Sequence, residues 1–130
     1  MALAWAVTWL PIGLLIGFIV DRDGSMDEPW IGVGTFPGFL CGAVFGLVTG
    51  MAIGRRTLDE LSLPRSGFYG AMSGLLVGVV WLAVVLASDP PKWAFESSVV
   101  GAITGLSAIS GVVSALVARA MKSDVSANTA

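Results

Sequence analysis

The chain has 130 residues, 55% of them hydrophobic and only 12% charged, with a formal net charge of −2 and no histidine. Soluble domains average about 25% charged residues, so this composition excludes an ordinary water-soluble fold. The missing histidine removes the usual general base, the usual haem or chlorophyll ligand and the commonest transition-metal ligand.

Four segments, residues 2–20, 31–54, 66–88 and 97–118, contain no Asp, Glu, Lys or Arg. Each approaches the ~20 residues that an α-helix needs to cross a bilayer core. They predict an all-α fold, an integral membrane four-helix bundle made of two helical hairpins with glycine-spaced close packing. The domain is expected over residues 1–122, followed by a disordered cytoplasmic tail at 123–130, where small polar residues dominate.

The first segment lacks a Lys or Arg ahead of its apolar run and a small-x-small site behind it, so it reads as a span and not as a cleaved leader. Trp5 and Trp9, four residues apart, share one face. Their position near the start of the segment predicts indole anchors at the membrane interface. Pro11 removes one backbone hydrogen bond, which membrane helices tolerate when neighbours compensate.

The first connection, Asp21 to Trp30, is short and acidic; its four acids Asp21, Asp23, Asp27 and Glu28 lack the spacing of a calcium-binding hand. Trp30 here and Trp93 in the third connection are expected to mark the opposite interface. Both connections combine acid, proline and tryptophan, which suggests a parallel repeat of two hairpins.

In the second span Gly34, Gly38, Gly42, Gly46, Gly50 and Gly54 recur at every fourth position. Each would cost a soluble helix about 0.5–1 kcal/mol relative to alanine. In a membrane they allow backbones to approach closely, where lipid supplies no hydrophobic push. A four-residue step drifts about 40° around a helix, so the two halves of the series are expected to contact different helices. Pro37 allows two starts for this helix, near Thr35–Pro37 or at Ile31 with a kink. Cys41, the single cysteine, is expected to be a small packing residue.

The second connection ends in Asp59-Glu60-Leu61-Ser62-Leu63-Pro64-Arg65, with Ser62 as a candidate N-cap and Pro64 in the first turn of the third span. Arg55, Arg56 and Arg65 are expected to anchor it at anionic headgroups. With the glycine-spaced spans beside it, this loop resembles that of a group of small glycine-rich bacterial multi-span membrane proteins, a resemblance that implies no activity.

The third span continues the small-residue spacing with Gly70, Gly74 and Gly78. In the fourth, Gly101, Gly105 and Gly111 add close approach, and Thr104, Ser107 and Ser114 either make interhelical contacts or line a narrow polar path.

Lys and Arg mark the cytoplasmic side. Arg55, Arg56, Arg65, Arg119 and Lys122 flank one end of the spans; only Arg22 and Lys92 flank the other, among six acids. Both termini are therefore expected in the cytoplasm, in a single fixed orientation, in what reads as a bacterial inner membrane. No ionisable residue falls inside a span, which argues against proton coupling. Small multidrug exporters need an acid in their first span. Small fluoride channels need a polar residue where Phe39 stands. Neither pattern fits.

The expected function is that of a structural or accessory membrane subunit packing by its glycine faces within a larger assembly, of which a respiratory or photosynthetic complex is one kind. The alternative is a homo-oligomeric channel or passive permeation pathway. The expected partners are the lipid bilayer and other membrane subunits or further copies of the chain, with no nucleic acid; no enzyme activity, cofactor or metal is expected.

Overall fold

In the computed structural model, which describes residues 1–24, 30–53, 58–88 and 93–128, four long helices follow one another. They are α1 (Ala2–Val20), α2 (Trp30–Ile53), α3 (Leu63–Ser88) and α4 (Trp93–Asn128), with a short 3₁₀ turn at Leu58–Glu60 before α3. All four are long and apolar enough to cross a membrane. A spanning segment must satisfy every backbone polar group internally, which a helix does. The chain is an all-α, four-span integral membrane protein.

The helices alternate in direction. Gly34 of α2 lies against Trp9 and Gly13 of α1, whereas Gly42 lies against Trp5 and Ala2. Gly67 of α3 meets Val112 of α4, and Gly78 meets Val100. Each pair is thus an antiparallel hairpin, and these two hairpins carry the closest packing in the molecule. They join through α2, which packs on α3 and also touches α4. The start of α1 and the end of α4 therefore share one end of the bundle.

Several boundaries differ from expectation. The second helix starts at Trp30 and carries Pro37 inside it, one residue before the earlier of the two expected starts. Ser62 directly precedes α3, its carbonyl accepting the Ser66 N–H at 3.0 Å, and Pro64 sits in the first turn. The fourth helix begins at Trp93 and runs to Asn128, well into the segment expected to be disordered. Ala, Met and Lys after the apolar run are strong helix formers, and nothing in Ala120–Lys122 breaks the helix. Arg119 also donates to the carbonyls of Asp59 and Leu61, while Lys122 pairs with the Asp59 carboxylate. These contacts fasten the 3₁₀ turn to α4.

At the opposite end, Gly24 takes a left-handed φ of 65°. A side chain is disfavoured in that conformation. Its N–H donates to the Asp21 carbonyl at 3.3 Å, closing the turn that ends α1.

Candidate functional site

Side chains with a polar or close-contact role concentrate along two seams, one inside each hairpin, and a third where the hairpins meet. In the first, a methyl group on Gly34 would collide with the Trp9 carbonyl oxygen and lie 2.7 Å from the Gly13 nitrogen. On Gly38 it would lie 2.6 Å from Trp9 Cβ, and on Gly42 2.7 Å from Trp5 Cβ. These three glycines all face α1. The series then leaves the seam: Gly46 has only Met1 Cβ at 3.7 Å, and Gly50 has nothing within 4 Å. Gly46 and Gly50 thus meet no second helix, contrary to expectation. Gly54, Arg55 and Arg56 lie outside the described residues, as does the Trp30 side chain.

The face that α2 turns to the second hairpin is instead Cys41, Phe45 and Thr49, another series at spacing four, all buried. Phe45 stacks on Trp5 with ring centroids 4.9 Å apart, and its ring edge lies 3.3 Å from where a Gly111 methyl would stand. One ring therefore touches both hairpins.

The second seam is closed by Gly70, Gly74 and Gly111. A methyl on Gly70 would collide with the Ser107 carbonyl; on Gly74 it would lie 2.7 Å from Ser107 Oγ and 2.8 Å from the Ile103 carbonyl oxygen. Buried Ser66 donates to the Gly111 carbonyl at 2.6 Å. Gly78 is milder, since its neighbour is the Val100 side chain at 2.9 Å.

The third seam, between α1 and α4, corrects the reading of the first two tryptophans. Trp5 and Trp9 are only 2% and 3% exposed and do not stand at the surface as anchors. Their indole N–H groups donate to Ser114 Oγ and Ser110 Oγ, each at 3.0 Å. A ring near a helix end serves equally as a belt residue or, opposite glycines, as core. Here Gly38 and Gly42 leave the space that the rings fill. Trp93 and Arg65 are exposed, as an anchoring position requires.

The hydroxyls do not converge on a lumen within the single chain. Thr104 donates to its own helix at the Val100 carbonyl (2.8 Å), and Ser114 to the Ser110 carbonyl (2.8 Å). Ser107 is fully buried against α3; the Cys41 thiol of α2 lies beside it, and no described group meets its Oγ in hydrogen-bonding geometry.

By sequence Glu96 belongs to the third connection, yet the early start of α4 brings it into the first helical turn. It is 7% exposed and accepts the Trp81 indole N–H at 3.0 Å. A carboxylate is favoured near a helix N-terminus, so this buried acid is accounted for as a clamp between α3 and α4. The clustering of charge just before the apolar run concealed it.

Like Gly50, two glycines of α4 stand apart from the seams. A methyl group added to Gly101 or Gly105 would meet nothing within 4 Å. With exposed Ser98 and Ala102 they leave the N-terminal half of α4 lined by small residues and open on that side. Among the described residues no group of three His, Cys, Asp or Glu side chains is placed to hold a metal ion. No family model matches the chain, and no curated protein or solved structure shows significant similarity to it.

Proposed function

We propose that this protein is a structural or accessory membrane subunit that docks through the open small-residue face of α4 onto a transmembrane helix of a larger assembly, with both termini in the cytoplasm of a bacterial cell. The observation that carries the reading is the division of the glycines into two sets. Those at 34, 38, 42, 70, 74 and 111 are closed by this chain's own backbone and side chains, whereas those at 50, 101 and 105 are open, and of these Gly101 and Gly105 form a pair one turn apart on α4. Close helix–helix approach in a membrane is what small residues at four-residue spacing support, and the described residues supply no helix to occupy that face. The orientation rests on the excess of Lys and Arg at the end carrying the termini.

The test is association at native expression level. Gly101→Leu and Gly105→Leu are expected to abolish stoichiometric co-purification with other membrane subunits in mild detergent while leaving thermal unfolding of the chain unchanged. Undiminished co-purification would remove the reading, as would a wild-type chain that purifies alone and monomeric.

A further inference from the structure

The two hairpins are joined unequally along their length. The chain passes from one to the other through the 3₁₀ turn at Leu58–Glu60, at the end of the bundle that carries both termini. There Arg119 of α4 holds the Asp59 and Leu61 carbonyls, and Lys122 pairs with the Asp59 carboxylate. At the opposite, distal end each hairpin turns back on itself, α1 into α2 and α3 into α4.

Side contact between the hairpins follows the same gradient. Trp5 and Trp9 donate to Ser114 and Ser110, the Phe45 ring meets Gly111, and Cys41 lies beside Ser107. All these contacts lie between the middle of the spans and the end carrying the termini. Continued along the same faces, the seam opens distally. Val33 extends the Cys41–Phe45 series at spacing four and is 39% exposed; Ile16, seven residues beyond Trp9, is 39% exposed, and Val80, seven beyond Ser73, is 64% exposed. Trp9, Cys41 and Ser73 themselves are buried.

Inside each hairpin the contact does not fade. Gly34 meets the Gly13 backbone, Gly78 meets Val100, and Trp81 bonds to Glu96, all in the distal half. Each hairpin is therefore a stiff arm, and the space between the arms is closed at one end only. In water the apolar side chains between the arms would draw them together. In a bilayer the lipid tails are as apolar as leucine and supply no such push, so separating the distal ends costs little. Separating the other ends breaks both indole–hydroxyl bonds and lifts Phe45 from Gly111.

We infer that the fold is a hinge. The α1–α2 and α3–α4 hairpins pivot about the Trp5–Ser114, Trp9–Ser110 and Phe45–Gly111 contacts, so that their distal ends part and close within the bilayer while the ends carrying the termini stay together. Rotation of packed units about an interface is an established form of conformational change. Gly101 faces the opposite side of α4 from Ser110, so docking there and the hinge can fail separately.

The test is pulsed electron–electron double resonance on the full chain, reconstituted in phosphatidylcholine–phosphatidylglycerol bilayers in a Cys41→Ala background. Spin labels go on exposed positions: Phe18→Cys with Leu86→Cys across the distal ends, and Leu3→Cys with Phe68→Cys across the ends carrying the termini. Leu15→Cys with Phe36→Cys reads the first hairpin alone. The distal distance distribution is expected to be at least about twice as wide as the other two. Ser110→Ala with Ser114→Ala, which removes both hydroxyl partners, is expected to widen the Leu3–Phe68 distribution and leave the Leu15–Phe36 distribution unchanged. A distal distribution as narrow as that at the termini overturns the inference. So does a Leu15–Phe36 distribution as wide as the distal one, which would mean that the arms bend, or a Leu3–Phe68 distribution untouched by the serine substitutions. If Cys41→Ala loses its helical circular dichroism, the same pairs are read with Cys41 retained, because its burial shields it from the label.

Discussion

Gly70→Ala and Gly34→Ala are each expected to destabilise the folded chain by at least about 2 kcal/mol, the upper range of overpacking in a close-fitted interior. In both cases the added methyl meets backbone: the Ser107 carbonyl for Gly70, the Trp9 carbonyl and the Gly13 backbone for Gly34. A carbonyl in a helix cannot rotate away as a side chain can, so the hairpin itself must open. Gly78→Ala is expected to cost less, because its neighbour is a valine side chain. Gly50→Ala and Gly105→Ala, facing open space, are expected to be neutral or to stabilise by up to about 1 kcal/mol through helix propensity. Thermal unfolding in mild detergent, followed by helical circular dichroism, reads the order. Equal effects at closed and open positions would contradict the packing described here.

Trp5→Ala is expected to cost on the order of 3 kcal/mol, comparable to removing a large aromatic residue from a packed core. Trp5 fills the space above Gly42, stacks on Phe45 and donates to Ser114. The substitution therefore loosens α1 from α2 and from α4 together. Trp93→Ala is expected to have little effect on stability, since that ring is exposed. The hydrogen-bond share separates in a double-mutant cycle. Trp9→Phe with Ser110→Ala is expected to show a coupling of about 0.6 kcal/mol, the usual value for side-chain hydrogen bonds between membrane helices. The larger part of the tryptophan effect is thus packing. A neutral Trp5→Ala would return that residue to the interface role that its sequence position suggests.

The four spans were legible because uncharged apolar runs of membrane length admit few other structures. Helix ends were less so. A charged residue reads in sequence as a boundary, yet Glu96 enters α4 under the protection of the Trp81 indole, and Arg119 and Lys122 continue the helix while holding the 3₁₀ turn. Spacing identified the small residues but not which of their faces would be covered. Gly42 and Gly50 belong to one series, and only the first touches another helix through backbone or tryptophan.

The contact between α1 and α4 joins residues 109 and 101 positions apart, a separation at which periodicity carries no information. A trace existed nonetheless. Trp5 and Trp9 are four residues apart, as are Ser110 and Ser114, and two antiparallel helices pair such sets in reverse order. The buried pairing of indoles with hydroxyls is what that match produces.

Helices of one chain meet backbone to backbone through glycine inside the bilayer, and the close packing of both hairpins depends on that approach. Solid-state NMR on protein labelled with ¹³C only at glycine, reconstituted in lipid, tests it most directly. The structure brings Gly34 onto the Gly13 backbone and Gly111 onto Gly70 Cα, so cross-peaks between Gly13 and Gly34 and between Gly70 and Gly111 are expected. They should persist when labelled protein is diluted with unlabelled protein, as contacts within one chain must. Absence of both cross-peaks, or their loss on dilution, would contradict the account.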